Sequence, residues 1–337
     1  MMKDREDLAW PLIQLVQQGA MAQLVCASAE LGIADLLAGG PKHVAELAQA
    51  TQTHTPSLRR LLRTLVTLEL CAECEDGSFL LLPRGDALRS DAANSVRSWM
   101  LWFGKHQWPA WGRLLHSVKT GERARTSGTF EFLDRDPEAA ARFNGAMLEL
   151  TRIVANDVVH AYDFTGLKRI LDVGGGRGTL LAAILNAYAD LQGILLELPH
   201  AIEGARSHLT DCGVVDRCNL ITGNFFEAIP SGADAYILKN VVHDWDDERA
   251  MLVLHNSRRA TTRGAKLLLI ERIMPLRLEA SPAHRTIAYA DMAMLVGPGG
   301  RERTEEEFRL LLEGACFRLS RVIATAQGYS ILEAVPR

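Results

Sequence analysis

The stretch "ILDVGGGRG", residues 170–178, runs an apolar segment into an aspartate and then into four glycines and an arginine. The short apolar run reads as a buried strand, and "TLLAAILNAY" after it reads as a helix. The glycines therefore occupy the turn between them. In an open α/β sheet that turn lies where ligands bind, beyond the carboxyl end of the strand. A dinucleotide fingerprint from Gly174 requires glycine or alanine at position 179, where Thr179 stands. What remains is Gly174, Gly176 and Gly178, a G-x-G-x-G turn.

The pattern continues downstream. The runs "GILLEL", "CNLITG", "AYILKNVV" and "KLLLIE" alternate with helical stretches such as "ERAMLVLHNSRRA". Such alternation predicts a doubly wound, mostly parallel α/β sheet. The last segment, "FRLSRVIATAQGYSILEAVPR", reads as two strands joined through Gln327-Gly328, an antiparallel hairpin.

Upstream the periodicity is helical. Apolar residues recur at helical spacing from Glu6 to Leu37, where Gly39, Gly40 and Pro41 stop the run. A short helix, a turn and a second helix follow. For the second helix Thr55 is expected as N-cap, with Pro56 at the first position and Leu58, Leu61, Leu62 and Leu65 on one face. Asp76-Gly77 then separates two strand-like runs as a hairpin would. Together these elements predict a winged-helix unit. Beyond it come clustered Trp102, Trp108 and Trp111, the polar loop "TGERARTSG", and a long helix opened by Asp136-Pro137. Its end near Gly166 sets the expected boundary between a helical, winged-helix-like domain, 1–165, and a ligand-binding α/β domain, 166–337.

Composition bounds the function. In 337 residues, 48% are hydrophobic and 23% charged, with a formal net charge of -4. This is a globular profile without the basic excess that draws a protein to nucleic acid or anionic membrane. The charged amino terminus and the lack of any apolar run of about 18 residues point to a cytoplasmic chain. Six cysteines suggest reduced thiols, and Cys71 and Cys74 form a single CxxC without the second pair of a zinc site. No metal is expected. Arg59, Arg60 and Arg63 share one side of the second helix of the wing. A solvated face accounts for them better than a DNA-binding face.

Two further features accompany the glycine turn. "GILLEL" carries Glu197 at its carboxyl end, an acid placed to accept from both hydroxyls of a ribose. "TGNFF" places Asn224 beside Phe225 and Phe226, an amide for an adenine edge and an aromatic for its face. With no second nucleotide pattern, they point to an adenosyl ligand that carries no pyrophosphate.

The segments "LDVGGGRG", "LELPHAI", "GNFFEAIP", "NVVHDWDDE", "LLLIERIMP" and "GGRERTEEEF" occur in the order and spacing of the small-molecule O-methyltransferases of the caffeate and hydroxyindole type. The chain resembles that family over most of its length. The resemblance implies S-adenosylmethionine as cofactor, its methionine part against the bare turn, a small aromatic acceptor and a homodimer formed through the helical half. It implies His243 as the base, flanked by Glu271 and Glu302, and adenosyl contacts from Leu198, Lys239 and Trp245, with Thr151 near the carboxylate. Met147 and Met294 match residues that sandwich an aromatic acceptor, and Trp108 and Phe103 are further candidates. Asp244, next to the base, is expected to point elsewhere. Two positions depart from the plant pattern: Glu197 and Asn224 each stand where an aspartate is usual.

A phenol ionises near pKa 10 and imidazole near 6.5, so a neutral His243 is a reasonable base as the acceptor acidifies during attack. That places the falling limb of the rate near pH 6–7. Relatives that hydroxylate or decarboxylate tend to lack the histidine. N-methylation and, more remotely, a ligand-responsive DNA-binding regulator are the other readings.

Overall fold

The computed structural model describes residues 9–125 and 128–337. They form two compact units, which divide between Pro109 and Ala110.

In the first unit α1 (Ala9–Glu30) and α2 (Ile33–Leu37) take the place of the single run expected from Glu6 to Leu37. The break is Gly32, whose φ of 65° ends one helix and caps the next. Glu6 lies outside the described residues. The wing follows as expected: α3 (Val44–Thr51), α4 (Thr55–Thr67), and a sheet in which β1 (Lys42–His43) and β2 (Cys71–Glu73) flank β3 (Ser78–Leu81). Leu58, Leu62 and Leu65 are buried, with Leu61 packed at the edge of their cluster. Thr55 is not the N-cap of α4. His54 holds that position in extended backbone, its ring Nδ1 3.0 Å from Ser57 Oγ, and Thr55 begins the first turn. Arg59 and Arg63 both approach Glu73 of β2, at 3.5 and 3.3 Å, so the wing's own acid partly neutralises that basic face.

The second unit contains α5 (Pro137–Ala161), opened as expected by Asp136, which accepts from Ala139 N at 3.0 Å. A boundary at 165/166 would put this helix in the first domain. It packs instead on α6 (Thr179–Ala187), the helix after the glycine turn, so the expected boundary at 165/166 falls inside this unit. The apolar stripe of α5 is legible in sequence, but the stripe does not name the core that covers it.

The sheet has seven strands in the order β6 (Cys218–Thr222), β5 (Gln192–Glu197), β4 (Arg169–Val173), β7 (Ala235–Lys239), β8 (Lys266–Glu271), β10 (Ser330–Pro336) and β9 (Phe317–Ala324). β4 to β8 are parallel to one another, and β9 and β10 form the antiparallel hairpin. The helices α7 (Pro199–Asp211), α8 (Asp247–Ala260), α9 (Pro282–Val296) and α10 (Glu305–Gly314) complete the unit. Strands β4, β7 and β8 are buried along nearly their whole length, as a sheet covered on both faces requires. The chain builds outward from β4 through β5 to β6 and then crosses back to β7. The crevice at the carboxyl ends of β4 and β7 is therefore the switch point at which a ligand can enter.

Candidate active site

The glycine turn closes β4 at that crevice. Gly174, Gly176 and Gly178 have φ of 67°, 59° and 73°, a run of left-handed residues that side chains would strain. Gly175, outside the G-x-G-x-G pattern, is required for another reason: a Cβ there would meet the Asp172 carboxylate at 2.3 Å. A Cβ at Gly176 would meet nothing within 4 Å, so the turn presents backbone to open space. Glu197, at the end of β5, is tied to the turn by Gly176 N donating to Oε2 at 2.9 Å, and Leu198 N donates to Oε1 at 2.7 Å. Each oxygen keeps a lone pair for a ribose hydroxyl.

Asp172 is 1% exposed, and neither of its oxygens has a hydrogen-bond partner among the described residues. Burial pushes its carboxyl up to about 7, against the pull of Lys239. A buried acid with unmet oxygens under a bare turn suits a ligand that carries an ammonium group. Lys239, at the end of β7, donates from Nζ to Thr151 Oγ1 of α5 at 3.2 Å, so two residues named separately above form one pair. These groups fit an amino acid joined to an adenosyl ribose.

The segment expected to meet the adenine is held by local hydrogen bonds. Asn224 Oδ1 already accepts from Phe226 N at 3.0 Å in a local turn, leaving one lone pair for a base edge. Asn256 of α8 donates to the carbonyls of Phe225 and Phe226 at 2.9 and 2.8 Å and fixes both aromatics from below. Trp245 is buried, edge-on to Phe226 with ring centroids 4.8 Å apart, and Arg249 lies over its ring at 4.3 Å. Its indole N–H has no partner among the described residues.

His243 sits in a short turn after β7, 7% exposed. Its Nδ1 is 3.1 Å from Glu302 Oε1 and 3.6 Å from Glu271 Oε2. Glu271, at the end of β8, turns its other oxygen to the backbone N–H groups of Val241 and Val242, at 3.1 and 2.9 Å. The acid that faces the ring thus also shapes the turn that carries it. Asp244 does not point elsewhere: its Oδ1 is 3.6 Å from His243 Nε2, because the tight turn brings adjacent side chains to one side. Burial lowers the ring's proton affinity, and Glu271, Glu302 and Asp244 raise it. The carboxylates prevail, and the imidazole is pushed up to about 10. Burial pushes Glu271 up to about 7 and Asp244 to about 6. By distance alone the ring and two acids also offer a cation three donors, within 4.8 Å of one another.

Arg303 was not singled out from sequence. It is wholly buried and clamps the turn, donating to Val242 O at 2.9 Å and Trp245 O at 2.8 Å while pairing with Asp247 at 2.8 Å. The carbonyls on both sides of His243 are thereby fixed. Its neighbour Glu302 holds the ring itself, so "GGRERT" supplies both a partner and a brace. Met147 and Met294 are half-buried on α5 and α9. Phe103 and Trp108 belong to the first unit, with ring centroids 6.3 Å apart, and Trp108 is 40% exposed.

Comparison with known proteins identifies both parts of the chain. Residues 111–318 match the O-methyltransferase domain, and residues 13–85 match the O-methyltransferase dimerisation domain. The phenazine O-methyltransferase PhzM of Lysobacter antibioticus is 40% identical over 329 residues, which is 96% of this chain and 95% of that protein. The crystal structure of LaPhzM superposes with a TM-score of 0.94 at 40% identity, covering 98% and 99% of the two chains. The O-methyltransferase NcsB1 from neocarzinostatin biosynthesis, solved with S-adenosylmethionine and 2-hydroxy-5-methyl naphthoic acid, superposes with a TM-score of 0.80 at 32% identity, over 94% and 96%. A glycine turn over a buried acid, a glutamate tied to that turn and these matches lead to one conclusion: the chain belongs to the S-adenosylmethionine-dependent O-methyltransferase family, with a Rossmann-like catalytic domain and the family's dimerisation domain.

Proposed function

We propose that the enzyme methylates a hydroxyl on a small aromatic acceptor, with His243 as general base. The observation that carries this reading is the placement of His243 among Glu271, Glu302 and Asp244 at the same carboxyl end of the sheet as the glycine turn. S-adenosylmethionine supplies a methyl group activated by its sulfonium. The protein has to align the acceptor oxygen and take its proton.

Nδ1–H donates to Glu302, which leaves the Nε2 lone pair for the acceptor hydroxyl. A phenol near pKa 10 then faces an imidazole of similar proton affinity, so the transfer runs with little uphill energy. The same acids keep the free ring protonated at neutral pH. The active form becomes populated as pH rises, and the expected limb moves above the ordinary 6.5 of histidine. This replaces the pH 6–7 expected from sequence, which allowed for no charged neighbours.

Gly174, Gly176, Gly178, Glu197, Leu198, Asn224, Phe225, Lys239, Thr151 and Trp245 are assigned to the cofactor. Met147 and Met294 are assigned to the acceptor ring, and the family resemblance adds Phe103 and Trp108. The enzyme acts as a homodimer: α1 leaves Leu12, Leu15 and Val16 more than half exposed, an apolar face that a partner helix would cover. Light scattering is expected to give about twice the chain mass, and a monomer at micromolar concentration would remove this part of the reading. Among the described residues no helix is long and apolar enough to cross a membrane. A cytoplasmic setting without nucleic-acid partners suits the acidic balance of the chain. The deciding experiment is transfer from labelled S-adenosylmethionine to a panel of phenols, scored by product mass. Product on an amine and none on any hydroxyl would redirect the assignment to N-methylation.

A further inference from the structure

Between Lys239 and the turn of His243 stands Asn240, a residue to which neither the cofactor nor the base gives a role. Its φ is 54°, in the left-handed region that side chains disfavour and that asparagine enters more readily than most. The backbone is pinned on both sides of it. Its own N–H donates to Ile270 O at 3.1 Å, which continues the pairing of β7 with β8 by one residue, while the next two N–H groups, of Val241 and Val242, already turn to the Glu271 carboxylate. The change of direction that carries His243 off the end of the sheet therefore takes place at Asn240.

The side chain of Asn240 is held from far along the chain. Nδ2 donates to the Tyr329 hydroxyl at 3.2 Å, whereas Oδ1 is buried with no hydrogen-bond partner among the described residues. Loss of that hydroxyl would leave both ends of a half-buried amide unmet. Tyr329 follows the Gln327-Gly328 turn, and the register of Ser330 opposite Glu271 sets it just beyond the carboxyl end of β8. Thr325 fixes the backbone there, donating to Tyr329 O from N at 2.8 Å and from Oγ1 at 3.0 Å.

The ring is fixed as well. It is 7% exposed, with the Arg272 guanidinium 4.2 Å and Lys239 Nζ 5.6 Å from its centroid. With backbone and ring both held, the hydroxyl is a firm anchor for Asn240. Burial disfavours its ionisation, but Lys239, Arg272, the Asn240 amide and His243 together hold it below the usual range of a phenol. The charge of His243 is thus felt at Tyr329.

On the reading of His243 as the general base, we propose that Tyr329 is a positioning residue for it: the hydroxyl holds the Asn240 amide, and Asn240 holds the left-handed backbone from which the turn of His243 starts. Tyr329 takes no proton and needs no contact with the acceptor. Without the hydroxyl the turn relaxes toward ordinary backbone, the Val241 and Val242 N–H groups shift on Glu271, and the imidazole loses part of the field of its carboxylates. Its proton affinity then falls.

The test uses the full-length enzyme, isotope-labelled on its histidines and saturated with S-adenosylhomocysteine. The ring signal that His243→Ala removes is followed against pH by NMR, and in the wild type it is expected to titrate above the ordinary 6.5 of histidine. Tyr329→Phe, which deletes the hydroxyl and keeps the ring, is expected to lower that midpoint by about half a unit or more. Asn240→Ala lowers it at least as far. Asn240→Gly lowers it less than Asn240→Ala, because glycine takes the left-handed backbone without a side chain to strain it. S-adenosylhomocysteine affinity within about twofold of the wild type reports that the fold survives, and Tyr329→Phe alone decides where Asn240→Ala disturbs the neighbouring lysine.

In turnover of the fastest phenol of the panel above, Tyr329→Phe is expected to lower kcat about three- to tenfold with KM little changed. It costs nothing further once His243 is replaced by alanine, because its effect passes through that ring. An unmoved His243 midpoint in Tyr329→Phe, or an equal loss of kcat with and without His243, overturns the proposal. A lowered midpoint together with near-normal turnover in His243→Ala would leave Tyr329 as the anchor of the ring and remove His243 as the base.

Discussion

The two sides of the crevice are built on opposite principles. On the side proposed for the cofactor the chain offers backbone: three left-handed glycines, the N–H groups of Gly176 and Leu198 on Glu197, and a buried acid under the turn. On the side proposed for the acceptor it offers side chains, with His243, Glu271, Glu302, Asp244 and Arg303 drawn from three separate segments into one dry cluster. A backbone site tolerates most local changes and fails when one residue type is lost. A cluster of buried charges is coupled, so each member sets the proton affinity of the others.

The sharpest way to break this comparison is to remove the base. His243→Ala is expected to lower kcat by about 10²–10⁴-fold, or roughly 3–5 kcal/mol of barrier. S-adenosylhomocysteine binding is expected to stay within twofold by calorimetry, because the ring belongs to the other side. Near-normal turnover would show that alignment alone carries the reaction. The converse substitution, Glu197→Ala, is expected to weaken S-adenosylhomocysteine by roughly 1–3 kcal/mol through lost charge-assisted hydrogen bonds. Unchanged affinity would remove Glu197 from the ribose.

Glu271→Gln is expected to cost about tenfold in kcat, since orientation weakens while the base remains. It also tests the coupling. The imidazole is raised by its carboxylates, so its active neutral form is lost as pH falls through a value above 6.5. Removing one of those charges moves the limb of the pH–rate profile downward. A limb already at 6–7 in the wild type and unmoved in the variant would mean that the ring does not feel Glu271. The smallest expected effect is none: prolonged dialysis against a chelator is expected to leave turnover unchanged. A loss restored by a divalent cation would turn His243, Glu271 and Glu302 into metal ligands.

Much of this architecture is legible in the sequence, and the residues show why. The strand-turn-helix from Arg169 to Ala187 announces itself because apolar runs and glycines are local signs, and the same holds for the Asp136 cap and the Gln327-Gly328 hairpin. His243 and its two glutamates are found through motif order, and the distances of 3.1 and 3.6 Å bring them together. Other features leave no local trace. Gly175 is needed only because Asp172 folds back beneath it, and Asn256 matters only because α8 passes under Phe225 and Phe226. The cap of α4 is a local ambiguity instead, for Pro56 fits the first or the second helical position and the N-cap falls on Thr55 or His54 accordingly.

The sequence by itself determined the alternation of strand and helix, the bare turn and the chemical types available at each strand end, because these depend on periodicity and on residues near one another in the chain. The tertiary structure decided which core claims α5, how Arg303 locks the turn of His243, and that Asp244 stands beside the base. It also decided the proton affinity of His243. Burial and the fields of three carboxylates act through space, over distances that the spacing of residues along a chain does not encode.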